Sequence, residues 1–558
     1  MAAGDLVSRI YSGFRGVDFR GEEVNLSRSP DALNVWRDYT KTDGIQTRPG
    51  LMLHTEATAT VYGIYFYKGK AIAHVGDRLC VLTDGGMEEI ISGAKEGHSD
   101  GFVYEDVFYF KDGEHYWQYN GETIADVEPY VPTTSISRAP SGSNSAHQDV
   151  NMLTGLRINT FVADGTSFDY YLDAYDIDQD FVPEVTVNGV KLEDGFTVDY
   201  AKGCVSFTEA PAAPLTGGQD NVSILFSKTV NGQKEAVLGC TLLQVFDNRV
   251  FFSGNDAFPN VVMHCSLNEP GYVSDLDYYR EGMDSAKVKG MVAGNNALWV
   301  FREPSDANTT VFYHTPTIDD VYGKIYPSSH SSVTTGCIGK AINFNDDIVF
   351  FSERGMEGIS GDITTEQVLG HRSTLVDRRM TAEPGYADMI LAEWNGYLLV
   401  FIGSKVYLAD SRGRFQNENH MEYDWFYWEL PEKVSCAKVY GGVLYVGTKT
   451  GIYTMTDDRC FMESYWVTPK DKFKYPNLQK TTNKRGCVVE GTGDIAVYAK
   501  TEAEEFRHVV TQTEVMDSFA PRVKRKKFKD LQLKFHSVTR FTLDSVTIEA
   551  FLGGYLKR

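Results

Sequence analysis

The sequence predicts an all-β protein: a six- or seven-bladed β-propeller with an inserted small β-domain and a C-terminal β-sandwich-like segment. Three observations support this prediction. The aromatic share of 13% favours strands, apolar hairpins recur along the chain, and helical periodicity is almost absent. At most one or two short helices are expected, for example within 364–379. The 558 residues correspond to about three or four domains, unless one repeat architecture accounts for most of the chain.

The recurring hairpins have the period of propeller blades, about 40–50 residues, with one much longer step. Most of their first turns combine Asn, Asp and Gly, for which φ > 0 costs little. A closed ring of such units would leave no long exposed strand edge; hairpins from two or three unrelated sandwiches are the alternative. The predicted turns are Lys68-Gly69, Glu105-Asp106, Asp247-Asn248, Asn295-Asn296, Asp346-Asp347, Asn395-Gly396 and Gly441-Gly442.

The long step between the second and third hairpins predicts an insertion. The stretch contains five strand-like segments bounded by Gly, Asp or Pro, and a domain inserted in a surface loop is commonly a recognition module. Four segments are therefore expected. They are an N-terminal segment with the first blades (1–140), an inserted β-domain for appendage attachment (141–235), the remaining blades (236–456), and a linker with a C-terminal β segment (457–558).

The net charge of −22 argues against a protein that wraps nucleic acid, because the molecule as a whole repels phosphate. A surface past which DNA slides remains compatible with this charge. No apolar run is long enough for a membrane helix, and the first residues lack a secretory signal. The eight cysteines are scattered, which favours buried free thiols formed in a reducing cytoplasm.

Motifs of catalysis are missing, so no enzyme activity, cofactor or metal is expected. The acidic series Asp173, Asp176, Asp178 and Asp180 has part of the spacing of a calcium loop. It lacks the turn glycine, however, and Val187 stands where a bidentate carboxylate is needed. A solvated acidic loop is favoured. Paired catalytic carboxylates assembled from distant blades remain open.

One segment opposes the acidic average. Six basic residues fall within eight positions, and they are either a solvated flank that protects an edge strand or a docking patch. We call them the basic run: Arg522, Lys524, Arg525, Lys526, Lys527 and Lys529.

Several segments together resemble one protein family. Residues 34–39 (NVWRDY) and 44–50 (GIQTRPG) are similar to the opening of phage virion propellers. The likeness continues in order through 247–253, 296–301, 311–313, 336–340 and 347–359. This order resembles the packaged-DNA stabilisation proteins, or tail nozzles, of short-tailed phages. The insert is similar to small β-domains of tail fibres, although the nozzle family lacks an insertion at this place.

The resemblance implies a structural virion protein, assembled in the bacterial host cytoplasm and located in the phage tail. Six copies would form a ring below the portal and adaptor, continue and close the DNA channel, and retain the packaged double-stranded DNA without sequence-specific contact. The basic run would face a neighbouring ring. Asp176, Asp178, Asn188 and Gly189 in the insert would contact a tail fibre or spike.

Two other functions share these sequence features. A carbohydrate-binding or carbohydrate-degrading propeller would place Arg, Glu and Tyr together at the propeller mouth, but the arginines do not recur at blade positions. A receptor-binding or baseplate protein of a long-tailed phage would assemble as a trimer rather than as a ring of six.

Overall fold

The computed structural model describes residues 5–40, 44–83, 86–143, 145–306, 309–320, 323–360, 368–417, 420–457 and 461–555. These ranges are almost entirely β, with short α-helices at Gln233–Leu238 and Asp377–Met380 and a 3-10 turn at Tyr386–Asp388. The second helix overlaps the expected stretch 364–379, of which 364–367 lie outside the described residues. Within the described ranges, no helix has the length and apolar character to cross a membrane.

The chain divides into two compact units. The terminal unit comprises Met1–Ser92 and Ser331–Arg558, and the central unit comprises Gly93–His330. Seven of the described cysteines are buried and free, whereas Cys460 lies outside the described residues.

Seven four-stranded antiparallel sheets in the described ranges are the blades of a β-propeller, which confirms the predicted fold class. The central unit contains blade 2 (Asp100–Tyr104, Val107–Lys111, Tyr116–Tyr119, Ile124–Asp126), blade 3 (Leu242–Phe246, Arg249–Ser253, Val261–His264, Tyr278–Arg280) and blade 4 (Val288–Gly294, Ala297–Arg302, Val311–His314, Ser328–His330). A small hairpin, Thr317–Asp319 with Gly323–Ile325, precedes the last strand of blade 4.

The terminal unit contains the other four blades. They are blade 1 (Val61–Tyr67, Lys70–Val75, Arg78–Thr83, Gly86–Ser92), blade 5 (Ala341–Phe344, Asp347–Ser352, Gly355–Ser360, Val368–His371), blade 6 (Ile390–Trp394, Tyr397–Ile402, Lys405–Asn417, His420–Glu429) and blade 7 (Cys436–Tyr440, Val443–Gly447, Gly451–Thr456, Gly50–Glu56). Blade 7 thus takes its fourth strand from the beginning of the chain, with Gly50 opposite Thr456.

A two-residue turn with φ > 0 at both positions joins the first and second strands of every blade. Asn295 and Asn296, for example, have φ of 52° and 58°. Six turns fall on the predicted pairs, but the prediction Asp346-Asp347 is wrong by one residue. The turn is Asn345-Asp346, and Asp347 pairs with Phe344 in the strands. Asparagine adopts the left-handed region more readily than most residues, which favours the pair that includes Asn345.

The second strands of the blades are continuous apolar runs because both of their faces are covered. All six residues of Ala297–Arg302 in blade 4 and all six of Tyr397–Ile402 in blade 6 are buried. These strands supply the cores of the two units.

Residues 133–227 form two sheets of their own between blades 2 and 3. Phe161, Val185, Val205 and Ile224 lie in the shared core. The limits 1–140, 141–235, 236–456 and 457–558 stay a prediction. One sheet contains Thr133–Arg138, Ser145–Ala146, Leu156–Phe161, Glu184–Val187, Val190–Leu192 and Val222–Ser227, and the other contains Asp169–Tyr171, Phe196–Asp199 and Cys204–Phe207.

Strands of the C-terminal segment pair with strands near the start of the sequence. Strand Leu6–Ser12 pairs with Ser545–Tyr555 over its whole length, and Ala32–Leu33 pairs with Ser464–Val467. The remaining strands of these sheets are Leu478–Glu490, Gly493–Thr501, Glu504–Val515, Ser518–Phe519, Lys526–Phe528 and Leu531–Ser537, and a third, small sheet contains Val35–Trp36, Ile45–Thr47 and Thr542–Leu543.

The turn conformation gives a stability test. Asn296 is exposed with φ of 58°, so Asn296→Val changes mainly the cost of the left-handed backbone. We expect this variant to lose about 1–2 kcal/mol in urea unfolding, whereas Asn296→Gly keeps or slightly raises the stability. Equal stability of the two variants would contradict the turn assignment.

Candidate functional site: the N-terminal clasp and the exposed surfaces

Asn34, the first residue of the NVWRDY segment, is at the centre of a hydrogen-bond cluster. Its Oδ1 accepts hydrogen bonds of 2.9 Å from Arg48 Nε and from the backbone N–H of Glu429. Its Nδ2 donates to the carbonyl oxygen of Glu463 at 2.9 Å. The residue is buried and has φ of 55°. This conformation suits asparagine better than most residues, and the side chain then satisfies three partners from distant parts of the chain.

Arg48, from the RPG segment, completes this cluster. Its backbone N–H donates to the carbonyl oxygen of Asn34 at 2.9 Å, and its Nη2 donates to the carbonyl oxygen of Glu429 at 2.9 Å. Arg48 is 3% exposed. Glu429 is the last residue of the last strand of blade 6. Asn34 and Arg48 therefore hold the N-terminal segment against that blade by hydrogen bonds.

Trp36 packs into an aromatic group beside this cluster. Its ring lies 5.5 Å from Trp394 at an interplanar angle of 12°, and 5.7 Å from Trp428 at 83°. Trp428 Nε1 donates to the carbonyl oxygen of Val35 at 3.2 Å. Stacked and edge-to-face aromatic pairs add about 1 kcal/mol each to the effect of burial. The N-terminal segment is therefore held by apolar packing as well as by hydrogen bonds.

Tyr39, the last residue of the NVWRDY segment, contacts an ion pair of blade 6. Its hydroxyl donates to Asp410 Oδ2 at 2.6 Å, and Arg412 Nε contacts Asp410 Oδ1 at 2.9 Å. The guanidinium of Arg412 lies 4.0 Å from the centre of the Tyr39 ring. Burial and the Asp410 carboxylate raise the pKa of Tyr39. We call residues 34–39 with Arg48 the N-terminal clasp.

The basic run lies in the terminal unit and contains one short strand, which follows an irregular segment. Strand Lys526–Phe528 pairs with Leu478–Glu490, and Val523 and Phe528 are buried. Arg525 contacts Glu504 Oε1 at 2.9 Å and donates to the Ala499 carbonyl oxygen at 3.1 Å. The backbone N–H of Lys529 donates to Glu502 Oε1 at 2.7 Å.

The other four residues of the run are exposed, and none of them has an ion pair among the described residues: Arg522, Lys524, Lys526 and Lys527. The structure therefore brings these predicted residues together as one surface.

The predicted residues of the insert do not lie together. Asp178 accepts hydrogen bonds from Ser227 Oγ at 2.6 Å and Thr229 Oγ1 at 2.7 Å. Although burial opposes the effect, these bonds lower its pKa. Asp176 is exposed. Asn188 and Gly189 form the exposed turn between two strands, and the backbone N–H of Asn188 donates to the Asn221 carbonyl oxygen at 2.7 Å.

Asp178 and the Asn188-Gly189 turn therefore lie at opposite ends of strand Val222–Ser227, about 17–20 Å apart by strand geometry. Asp178 is already occupied by hydroxyl donors, and no metal-binding group of three or more His, Cys, Asp or Glu side chains occurs in the described ranges.

A histidine between two carboxylates was not identified from the sequence. His371 Nε2 contacts Asp377 Oδ2 at 2.5 Å, and Nδ1 contacts Glu357 Oε2 at 3.2 Å. Burial alone lowers the pKa of His371, but the hydrogen bonds to Asp377 and Glu357 outweigh it and raise the pKa to about 9. The ring is therefore protonated at neutral pH and has no free lone pair for base catalysis. Glu357 and Asp377 stand 14 residues before and 6 residues after His371, a spacing that matches no motif of catalysis.

A second buried cluster, in the central unit, also lacks the geometry of a nucleophile. Glu281 lies between His314 and Ser328: one carboxyl oxygen is 2.8 Å from His314 Nε2, and the other accepts a hydrogen bond from Ser328 Oγ at 2.7 Å. In a catalytic triad the histidine lies between the serine and the acid. Here the acid is central and both Glu281 and His314 are fully buried, so the cluster satisfies polar groups in the core.

No protein-family model matches the chain, and no curated protein matches it. Among solved structures, BamB from Moraxella catarrhalis is 10% identical with a TM-score of 0.32, covering 76% of this chain and 96% of that one. Kluyveromyces lactis Hsv2 is 8% identical with a TM-score of 0.31, covering 74% and 94%. An exo-β-1,3-galactanase from Phanerochaete chrysosporium is 11% identical with a TM-score of 0.21, covering 55% and 94%.

The clasp predicts a graded loss of stability. Asn34→Ala removes both functions of the amide and breaks one buried and two partly buried hydrogen bonds, so we expect a loss of about 3 kcal/mol and faster proteolysis within 13–40. Asn34→Asp keeps the acceptor and is expected to lose less. Asn477→Ala, at an exposed position of the same unit, is the control. An Asn34→Ala variant as stable as this control would contradict the clasp.

His371 predicts a dependence of stability on pH. Its pKa is about 9 in the folded protein and about 6.5 in the unfolded chain. Protonated His371 therefore stabilises the fold fully below pH 6.5, and this contribution disappears as the pH rises through 9. We expect His371→Gln to lose about 3 kcal/mol near pH 6 and almost nothing near pH 10, measured by urea unfolding. The exposed His147→Gln is the control. A pH-independent difference would refute the assignment.

Proposed function

We propose that this chain is a structural protein of a phage tail rather than an enzyme. In this proposal six copies form a ring below the portal and adaptor. The ring continues and closes the DNA channel, retains the packaged DNA, and anchors tail fibres or spikes through the insert. The observation that supports it most directly is the clasp. Asn34, Trp36 and Arg48 belong to the segments that resemble tail nozzles, and all three are buried where the N-terminal segment meets blade 6.

A motif buried at such a place has an architectural role. Its residues determine whether the N-terminal segment stays on blade 6, and they offer no group to a substrate. The resemblance of these residues to those of tail nozzles is therefore a resemblance in how the N-terminal segment is attached to the propeller. Fold alone does not determine function, so the proposal depends on this set of residues in its order along the chain and not on the propeller.

Charge also supports a channel protein. A net charge of −22 weakens adhesion to DNA phosphates, which suits a surface past which DNA moves. The exposed members of the basic run then serve a different partner, an acidic surface on the neighbouring ring. Head-to-tail contacts between identical copies close into rings when the rotation permits it.

Charge reversal tests the assigned role of the basic run. In the triple variant Lys524→Glu, Lys526→Glu and Lys527→Glu, we expect the ring to fail to join its neighbour while the melting temperature stays that of the unmodified protein, because these side chains are exposed. The control triple variant, Lys70→Glu, Lys433→Glu and Lys449→Glu, has the same net charge and alters other exposed positions.

Electron cryomicroscopy of particles assembled with each variant gives the readout. Six copies below the portal with the control and none with the first variant are expected. Trimers in a baseplate, or protein absent from particles made with unmodified chain, would contradict the proposed function. Equal incorporation of both variants would contradict only the role of the basic run.

A further inference from the structure

A charged cleft in the terminal unit lies apart from the clasp and borders the basic run, since Glu502 in its lining accepts a hydrogen bond from the backbone N–H of Lys529. A cavity of about 820 Å³ is lined by the loop 18–28 together with Leu375, Glu422 and Lys470. A second cavity of about 460 Å³ adjoins it, since Glu22 and Lys470 line both, and it adds Glu502 and Glu505. We call the two cavities together the acidic cleft.

Most charged groups of the acidic cleft already have partners. Asp18 contacts Arg20 twice, at 2.8 and 2.9 Å. Glu22 contacts Lys470 and Lys500 at 3.4 Å each. Arg28 is bound to Asp424 at 2.5 Å, so its charge is not available to neutralise another carboxylate.

Glu422 differs from these groups because its side chain has no hydrogen bond among the described residues. Together with the hydrogen bond from Arg20 to Asp18, its carboxylate helps to raise the pKa of Arg20 in the same lining. Glu422 is 3% exposed, it lines the larger cavity, and its buried Oε2 has no hydrogen-bond partner. Removing a carboxylate from water without a partner costs free energy. A cation that enters the cavity would supply the missing donor and recover that cost.

The shape of the cleft points to a peptide rather than to an ion. The described ranges contain no group of three metal-ligating side chains, and the buried Leu375 in the lining suits the apolar stem of a long cationic side chain. The larger cavity exceeds one side chain, and the second continues with further carboxylates. We propose that the acidic cleft binds an extended arginine- and lysine-rich segment of a partner protein, with one guanidinium placed against Glu422.

The chain's own basic run does not fit as this occupant. Lys526–Phe528 is a paired strand, and Val523 and Phe528 are buried in the core. Entering the cleft of a second copy would require unfolding that edge. Binding of such a segment requires neither a ring nor DNA. It adds to the proposed function the chemistry of one partner.

A binding experiment on the full chain tests the inference. The probe is a fluorescein-labelled peptide of four Gly-Arg repeats, titrated by fluorescence anisotropy at 0.15 M salt. Glu422→Gln keeps the shape of the side chain and removes its charge, so affinity is expected to fall by about 10-fold, the effect of one charge-assisted hydrogen bond. Glu209→Gln removes the same charge from an exposed site on the insert and is expected to bind like the unmodified protein. Equal binding by the two variants would overturn the inference.

Crosslinking of the unmodified chain keeps the test valid if Glu422→Gln fails to fold. A photoreactive group next to the central arginine of the peptide should mark residues 18–28, Glu422 or Lys470. Crosslinks confined to other parts of the chain would overturn the inference. Self-association of the chain would also overturn the inference if Glu422→Gln abolished it and the peptide did not compete with it. The occupant of the cleft would then be a second copy of the chain.

Discussion

The hydrogen bonds of Asn34 and Arg48 to the end of blade 6 are the interaction on which the terminal unit depends. Upstream of them, Leu6–Ser12 must reach Ser545–Tyr555. Downstream, Gly50–Glu56 must reach the last blade. The clasp lies between these two pairings and fixes both at once. The two pairings supply an edge strand of one sheet and the fourth strand of blade 7.

This constraint explains why polar residues are buried in the largest core. Asn34 and Arg48 cost free energy to bury, and their hydrogen bonds to backbone carbonyls and to each other offset that cost. The stacked rings of Trp36 and Trp394 exclude water from the same place. An apolar pair at these positions could bury as much area, but it could not specify which backbone groups come together.

The sequence predicted the local features of the fold. Two-residue turns leave a signal in adjacent residues, so six of the seven blade turns could be placed from the sequence, and the seventh was displaced to Asn345-Asp346 because three turn-forming residues stand in a row. The pairing of the two termini left no such signal. It joins residues more than 400 positions apart, and strand alternation does not identify the partner strand.

The candidate functional residues also differ in whether the sequence alone could reveal them. The basic run was recognisable because its charges are contiguous, and the structure leaves four of them exposed. His371 and Glu422 were not recognisable from the sequence. His371 matters because folding places two carboxylates beside it, and Glu422 because folding leaves one of its oxygens without a hydrogen bond. The NVWRDY segment was recognised only by resemblance, and its physical meaning became clear from the contacts of Asn34.

Hydrogen–deuterium exchange of the intact protein tests the central claim, that the termini and blade 6 form one cooperative element. Amides in 6–12, 32–36 and 545–555 should exchange slowly, with protection like that of 397–402, and should lose protection together as urea is added. Rapid exchange of 6–36 while 397–402 stays protected would contradict the account, because the N-terminal segment would then be a loose addition to the blades.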